Sequence, residues 1–336
     1  MGQTLSYRVE THPLAAPFRI SGYVFEASDL VVVELDDGQH RGRGEAAGVY
    51  YTGDEAPQIV EGLEANRSAI EGCGSREELQ QLLPPGGARN AVDCAMWEME
   101  ARRLGIPAYR IAGIDAPRPL ITTFTLGADE PAVMAEGARK YATARAIKVK
   151  LTGDLDLDIA RVKAIREARG DVWLGVDANQ GFGIADLPAL VAAMVEQRVS
   201  LIEQPIARGR EADLEGFESA IPLAADESAL SLADVPGLVG RFQTVNIKLD
   251  KCGGLTEGLM IAQEARKLGL DVMVGNMVGT SLAMAPAFIL GQLCDVVDLD
   301  GPTFLKQDRV PGVDYRDGHI WCPDEVWGST AAVLAA

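Results

Sequence analysis

Five short apolar segments, each turning charged or polar at its end, recur at about the spacing of one strand–helix unit. They are Ala146-Ile147-Lys148-Val149-Lys150, Val176-Asp177-Ala178-Asn179, Leu201-Ile202-Glu203-Gln204, Ala224-Ala225-Asp226-Glu227 and Asn246-Ile247-Lys248. Few architectures tolerate this pattern. Strands that are apolar throughout are buried on both faces, as parallel strands covered by helices are. Polar residues at the ends of successive parallel strands collect at the C-terminal mouth of a closed barrel. Counting the flanking runs gives eight strands: Ile121–Leu126, the Lys148 strand, Val172–Val176, Leu201–Glu203, Pro222–Ala225, Val245–Leu249, Val272–Gly275 and Val296–Leu299. The spacing predicts a (β/α)8 barrel over residues 116–305. A helix is expected over Pro131–Thr143, and another behind Asp154, Asp156 and Asp158, carboxylates that suit the positive end of a helix dipole.

The chain before the barrel reads differently. Leu5–Glu10 alternates like a strand, and Leu30–Leu35 is a continuous apolar run ending at the turn Asp36-Asp37-Gly38. His40–Glu45 returns as a third strand. Gly42-x-Gly44 lacks the third glycine of a dinucleotide fingerprint and is read as a close-packing position. Val92, Ala95, Met96 and Met99 recur at helical spacing and predict an amphipathic helix ending near Gly105-Ile106-Pro107. Residues 1–115 are therefore expected to form an α+β capping domain, with Pro117-Arg118-Pro119 at its boundary. The loop-rich segment 306–336 is expected to return to that domain.

The formal charge of −18 over 336 residues argues against nucleic acid and anionic membranes as partners. It leaves room for an anionic substrate, because a local cluster of lysines can outweigh the global field. Five scattered cysteines without a CxxC pair point to neither a disulfide framework nor a thiolate zinc site, and to a reducing cytoplasm. Three histidines leave little material for an imidazole metal site or a Ser-His-Asp triad. Met1-Gly2 through Ser6 matches a myristoylation pattern, but it runs straight into strand-like sequence. The longest apolar run, around Leu282–Val297, is broken by Pro286 and Gln292 and reads as a buried helix rather than a membrane span.

Taken alone, Lys148-x-Lys150 marks a solvated edge strand, and a single acidic strand end is more often solvated than ligating. The set changes that reading. Asp177, Glu203 and Asp226 end three successive strands, and three converging carboxylates repel unless a cation joins them. Oxygen ligands without His or Cys select Mg2+, with Mn2+ as a substitute. Lys148, Lys150 and Lys248 then face the cation from two sides. Nearby positive charge and burial both lower a lysine's pKa, making a neutral amine available as a base. A base on each face of a carbon acid permits proton removal on one side and return on the other.

The set Lys148-x-Lys150, Asp177-x-Asn179, Glu203-Gln-Pro205, Asp226-Glu-Ser228 and Asn246-Ile-Lys248, followed by Lys251-Cys-Gly-Gly254, resembles the enolase superfamily, muconate lactonizing enzyme subgroup. The resemblance covers nearly the whole chain. It implies an α/β fold: a modified (β/α)8 TIM-type barrel, (β/α)7β, with an N-terminal α+β capping domain. It implies Lys150 and Lys248 as acid/base catalysts, Lys148 as their electrostatic helper, and Asp177, Glu203 and Asp226 as magnesium ligands. Asn179, Glu227 and Lys251 are expected behind those ligands. Lysine rather than histidine on the sixth strand disfavours the mandelate racemase subgroup, and a homo-oligomer is the assembly the family implies.

Asp298-Leu299-Asp300 places two carboxylates on one face of the eighth strand, either as a solvated pair or as a seat for an α-ammonium group. It resembles the feature by which dipeptide epimerases hold a dipeptide's N-terminus. Asn276, Met277, Gly279 and Thr280 are expected along the wall of the same pocket. Ala-Glu epimerases carry an arginine after the Pro-Phe-basic segment. Here Pro17-Phe18-Arg19 is followed by Ile20-Ser21-Gly22-Tyr23, with Tyr23 near that position and Tyr50 and Tyr51 in the second lid-like stretch. The expected activity is Mg2+-dependent epimerisation of a dipeptide with an apolar C-terminal residue. The alternatives are an N-acyl amino acid racemase, another reaction of the subgroup such as dehydration or cycloisomerisation, or a barrel that binds without catalysing.

Overall fold

A three-stranded antiparallel sheet opens the chain: β1 (Thr4–Ile20), β2 (Tyr23–Asp36) and β3 (Arg41–Ala46), in that order. This computed structural model describes residues 2–20 and 22–330; Met1, Ser21 and residues 331–336 at the end of the expected C-terminal segment lie outside the described residues. β1 and β2 form a long ribbon from Thr4 opposite Asp36 to Ile20 opposite Tyr23, with an irregularity between Pro13 and Phe18. The ribbon extends well past the Leu5–Glu10 strand expected from sequence, because its outer half is exposed and carries no apolar alternation to read. Leu30–Leu35 shows no alternation for a different reason: both faces are covered. Val31, Val33 and Leu35 enter a small core under the first sheet, and Val32 enters the larger core around the barrel.

The amphipathic helix runs over Gly87–Leu104 and stops at Gly105, whose φ of 65° is the left-handed conformation glycine adopts freely. It lies so close to β3 that a Cβ on Gly42 would sit 1.8 Å from the Ala95 carbonyl oxygen, and one on Gly44 2.0 Å from that of Ala91. These glycines are therefore the contact surface on which the helix rests.

The expected first barrel strand is split at Thr122. Residues on one side form β4 (Leu120–Ile121), which joins a separate antiparallel sheet. On the other side the barrel begins. Its strands are β5 (Thr123–Leu126), β6 (Ala146–Lys150), β7 (Trp173–Asp177), β8 (Leu201–Glu203), β9 (Leu223–Ala225), β10 (Thr244–Lys248), β11 (Asp271–Gly275) and β12 (Val296–Val297). Each pairs in parallel with the next, in chain order, giving a nearly closed eight-stranded barrel wrapped by helices. The helix after β5 spans Pro131–Lys140 and ends short of Thr143. Behind β6, Asp154 caps the helix Leu155–Ala168, accepting from the Leu157 amide, while buried Asp158 accepts from the Thr152 and Gly153 amides.

Alternation along the strands sorts the side chains. Ile147, Val149, Leu174, Val176, Ile202, Val245 and Ile247 pack outward against the helices. The other parity faces the barrel axis. Leu201, Ala224 and Met273 form a separate cluster with Trp173 and Val296 at the strands' N-terminal ends, and the charged residues follow at the C-terminal ends. After the barrel, β13 (Asp314–Arg316) and β14 (His319–Trp321) complete the sheet that contains β4. The chain then returns to the first sheet, where Trp327 Nε1 donates to the Arg43 carbonyl at 2.8 Å. Among the described residues no helix is long and apolar enough to cross a membrane.

Candidate active site

The seam between β5 and β12 has no backbone ladder; side chains stitch it. The Leu299 amide donates to Thr122 Oγ1 at 2.9 Å, the Thr125 amide to Asp300 Oδ2 at 2.6 Å, and the Thr123 hydroxyl to the Asp298 carboxylate. The Asp-x-Asp pair thus sits at the barrel mouth but is almost fully buried and holds the first and last strands together.

Asp177, Glu203 and Asp226 come from adjacent strands, and their ligand atoms lie within 4.8 Å of one another with all three residues buried. Each is held by neighbours. The Asn179 amide donates to Asp177 Oδ1 at 3.0 Å, and Asn246 Nδ2 donates to Glu203 Oε1 at 2.7 Å. Lys251 Nζ reaches Asp226 Oδ1 at 2.6 Å and the Asn246 carbonyl at 2.9 Å. Gln204, at a positive φ of 36°, accepts from the Asp226 and Ser228 amides and so ties the end of β8 to that of β9. Asn246 and Gln204 lie inside the motifs the sequence displays, but nothing in a motif says that an amide side chain is a strut.

The lysines flank this triad. Lys150 Nζ is 2.5 Å from Asp177 Oδ2, and Lys248 Nζ is 2.7 Å from Asp226 Oδ2. They stand on β6 and β10, half the eight-strand circuit apart, with the three acidic strands between them. Lys148 pairs with Asp298 and lies 3.5 Å from Glu203 Oε2. Burial acts to lower the pKa of Lys148 and Lys248, but the facing carboxylates outweigh it and hold both above the ordinary lysine range. The neutral amine expected from sequence therefore requires positive charge among the carboxylates. Burial and the Asp177 charge push Glu203 up to about 8, while Asp226 is held far below the usual carboxylate range, where Lys248 and Lys251 overcome the effect of burial.

Five of the buried atoms without a hydrogen-bond partner belong to residues of this site and its cavity, Glu203 Oε2, Glu227 Oε2, Asn179 Oδ1, Asn246 Oδ1 and the Tyr51 hydroxyl; the others, on His40, Gln80, Arg89 and Arg102, do not. Buried polar groups are rarely left unpaired, and a cluster of unpaired oxygens marks a ligand site. An all-oxygen donor set with crowded carboxylates fits a hard divalent cation.

A cavity of about 360 Å3 opens on these groups. Lys150, Asn179, Asp226 and Lys248 form its floor, and Asn276, Met277 and Val278 part of its wall. The first sheet and its loops supply Phe18, Ile20, Phe25, Tyr50 and Tyr51. Three expected wall residues are elsewhere. Gly279 is buried, where a Cβ would lie 3.2 Å from both Ala283 Cβ and Glu45 Oε1. Thr280 is fully buried, with its hydroxyl and amide bonded to Glu45, and it caps the helix Ser281–Gly291. Tyr23 is half-exposed and packs behind the wall, its ring 4.5 Å from that of Tyr50, so Phe25 takes the lining position.

Residues 132–326 match the family described as enolase C-terminal domain-like. The chain belongs to the enolase superfamily. Its relatives include an L-Ala-D/L-Glu epimerase of Escherichia coli, 37% identical over 95% of this chain and 99% of that one. An N-acetyl-D-glutamate racemase of a Pseudoalteromonas species is 44% identical over 72% of this chain and 76% of that one. Among solved structures, a dipeptide epimerase from Enterococcus faecalis complexed with Mg and L-Leu-L-Tyr aligns with a TM-score of 0.87 at 30% identity, covering 94% of this chain and 95% of that one.

Proposed function

We propose that this protein is an Mg2+-dependent dipeptide epimerase that inverts the α-carbon of the C-terminal residue. The observation that carries the reading is the placement of Lys150 and Lys248 on opposite sides of the barrel, at the two ends of the carboxylate triad. A divalent cation held by Asp177, Glu203 and Asp226 would supply the charge that binds the substrate carboxylate and favours loss of the adjacent α-proton. Lys150 and Lys248 do the rest: one, as the amine, takes the α-proton from its face, and the other, as the ammonium, delivers a proton to the opposite face. One proton leaves carbon and one returns, and the reverse reaction exchanges their roles. Lys148 keeps positive charge beside Glu203 and Asp298.

The substrate's α-ammonium group would sit against Asp298 and Asp300. Burial and the neighbouring Asp298 raise Asp300 to about 7, a position that an incoming cation relieves. The side-chain end of the cavity is aromatic and apolar. Among the described residues, Lys150 and Lys248 are its only cationic lining residues, while Asp29 and Glu55 also border it. Arg19 opens on a separate cavity with Leu126 and Tyr141. An acidic substrate side chain therefore lacks a partner, and an apolar one is favoured. Assembly as a homo-oligomer in the cytoplasm belongs to the same reading, supported by the family resemblance and by five free cysteines.

A second reading, an N-acyl amino acid racemase, is favoured by one observation: Asp298 is already engaged by Lys148 and Thr123 and need not meet an ammonium group. Incubation with Mg2+ in D2O separates the two. Deuterium at the C-terminal α-carbon of dipeptides supports the first reading. Exchange confined to N-acetyl amino acids supports the second, and exchange in neither pool overturns both.

A further inference from the structure

Tyr51 belongs to a short 3-10 turn, Tyr50–Thr52, carried over the barrel mouth by the loop after β3. The turn is fastened from below: Asp250, two residues beyond Lys248, accepts from the Ala47 and Gly48 amides at 2.9 and 3.1 Å. The ring is fixed from the side, 5.1 Å from the Tyr50 ring in an edge-to-face arrangement. Tyr51 lines the cavity that also contains Lys150, Asn179, Asp226 and Lys248. Its hydroxyl is buried and has no hydrogen-bond partner, as is true of oxygens of Asn179, Glu203 and Glu227.

A hydroxyl held rigidly in such a place, without a protein partner, is a group awaiting a ligand. Burial, followed by the charges of Asp226 and Glu227, holds the phenol far above its ordinary pKa, so it remains a donor at every working pH. The ligand must therefore present an acceptor. In a dipeptide the acceptors are the carboxylate and the peptide carbonyl; the ammonium group and the peptide N–H cannot accept. Tyr51 shares the cavity with Lys150, Asp226 and Lys248, the groups among which the epimerase reading seats the substrate's carboxylate, so the carboxylate is the acceptor the hydroxyl meets.

We propose that the Tyr51 hydroxyl is a substrate-binding group that donates a hydrogen bond to a carboxylate oxygen of the bound dipeptide. The assignment rests on the epimerase reading and adds a contact from the capping side to those made from the barrel floor. It also connects the loop to the chemistry: the segment whose tyrosines shape the side-chain wall grips the reacting end of the substrate.

The test is Tyr51→Phe in the full-length protein with Mg2+, which keeps the ring and its packing. Binding is measured by calorimetry with L-Ala-Phe already equilibrated between its epimers, so that no net turnover contributes heat. The expected result is binding weaker by roughly tenfold to a hundredfold, as for a lost hydrogen bond to a charged group. The melting temperature of the ligand-free variant should be unchanged or higher, because an unpartnered hydroxyl has been removed. A merely structural tyrosine would instead lower it. Competition by 3-phenylpropanoate, which has a carboxylate and no peptide group, should weaken by the same factor. Weakening for the dipeptide alone would assign the contact to the peptide carbonyl and overturn the proposal. Unchanged dipeptide binding in a variant whose parent turns the dipeptide over would overturn it and leave the epimerase reading standing. A parent that neither binds nor turns over dipeptides would overturn both.

Discussion

Asp250 offers a quantitative test of how the capping loop is held over the barrel. Its carboxylate is buried, and besides the Ala47 and Gly48 amides it accepts from Asn90 Nδ2 at 3.3 Å. Burial outweighs these bonds and raises the group from 3.8 to about 7. Below the unfolded value the group is protonated in both states and the folded protein loses nothing. As pH climbs from about 4 to about 7, the unfolded chain ionises while the folded one holds its proton, and stability falls. At ~1.4 kcal/mol per unit the loss is bounded by about 4 kcal/mol, and relaxation of the site brings it nearer 2 kcal/mol. Asp250→Asn keeps an acceptor oxygen and removes the charge. Urea unfolding followed by circular dichroism should therefore show the variant more stable than the parent by about 2 kcal/mol at pH 8, with no gain at pH 4.5. An equal gain at both pH values, or a loss at pH 8, would refute the assignment of the strain to the buried charge.

Three further outcomes follow from the geometry. Lys248→Ala should abolish epimerisation yet leave Lys150 able to exchange the α-proton of one stereoisomer in D2O; equal exchange from both stereoisomers would contradict the two-sided arrangement. Gly44→Ala places a methyl 2.0 Å from the Ala91 carbonyl oxygen and should destabilise the protein by about 3 kcal/mol in urea titration; a change below about 1 kcal/mol would mean that the helix can lift off β3 freely. Phe25→Arg puts a cation in the aromatic wall and should raise the kcat/KM ratio of Ala-Glu to Ala-Phe by about tenfold; an unchanged ratio would remove Phe25 from the specificity wall.

The barrel was legible because charge at a strand end has a parity. Residues 177, 203 and 226 are each separated by an even step from an apolar residue that faces the axis, Trp173, Leu201 and Ala224, and Lys248 stands two residues beyond Asn246, which reaches Glu203, so the charged set had to converge. The same parity placed Lys148 and Lys150 on one face. Three things were not legible. The outer half of the β1–β2 ribbon is exposed, and exposed strands carry no periodic signal. The break at Thr122 depends on a hydroxyl that accepts from Leu299 across the seam, a contact between residues far apart in sequence. Asp298 and Asp300 were placed at the mouth, but their work in closing the barrel depends on where β5 ends relative to β12, which no local pattern encodes. Tyr23 and Phe25 share a face of β2, and only the position of Tyr50 between them decides which one meets the cavity.

The helix Gly87–Leu104 sends Ala91, Val92, Ala95, Met96 and Met99 into the core under the first sheet and Cys94, Trp97 and Ala101 into the core of the barrel. A domain that merely abuts its neighbour can separate from it by wetting an interface. Here separation would pull a shared beam out of one core or the other, and the loss of either core exposes the beam. The capping unit is therefore a roof bolted to the barrel rather than a door hung on it. Above the barrel mouth stand only short pieces that the roof carries, among them Phe25 of β2 and the Tyr50–Thr52 turn, so under the epimerase reading substrate entry and side-chain choice fall to the same few residues.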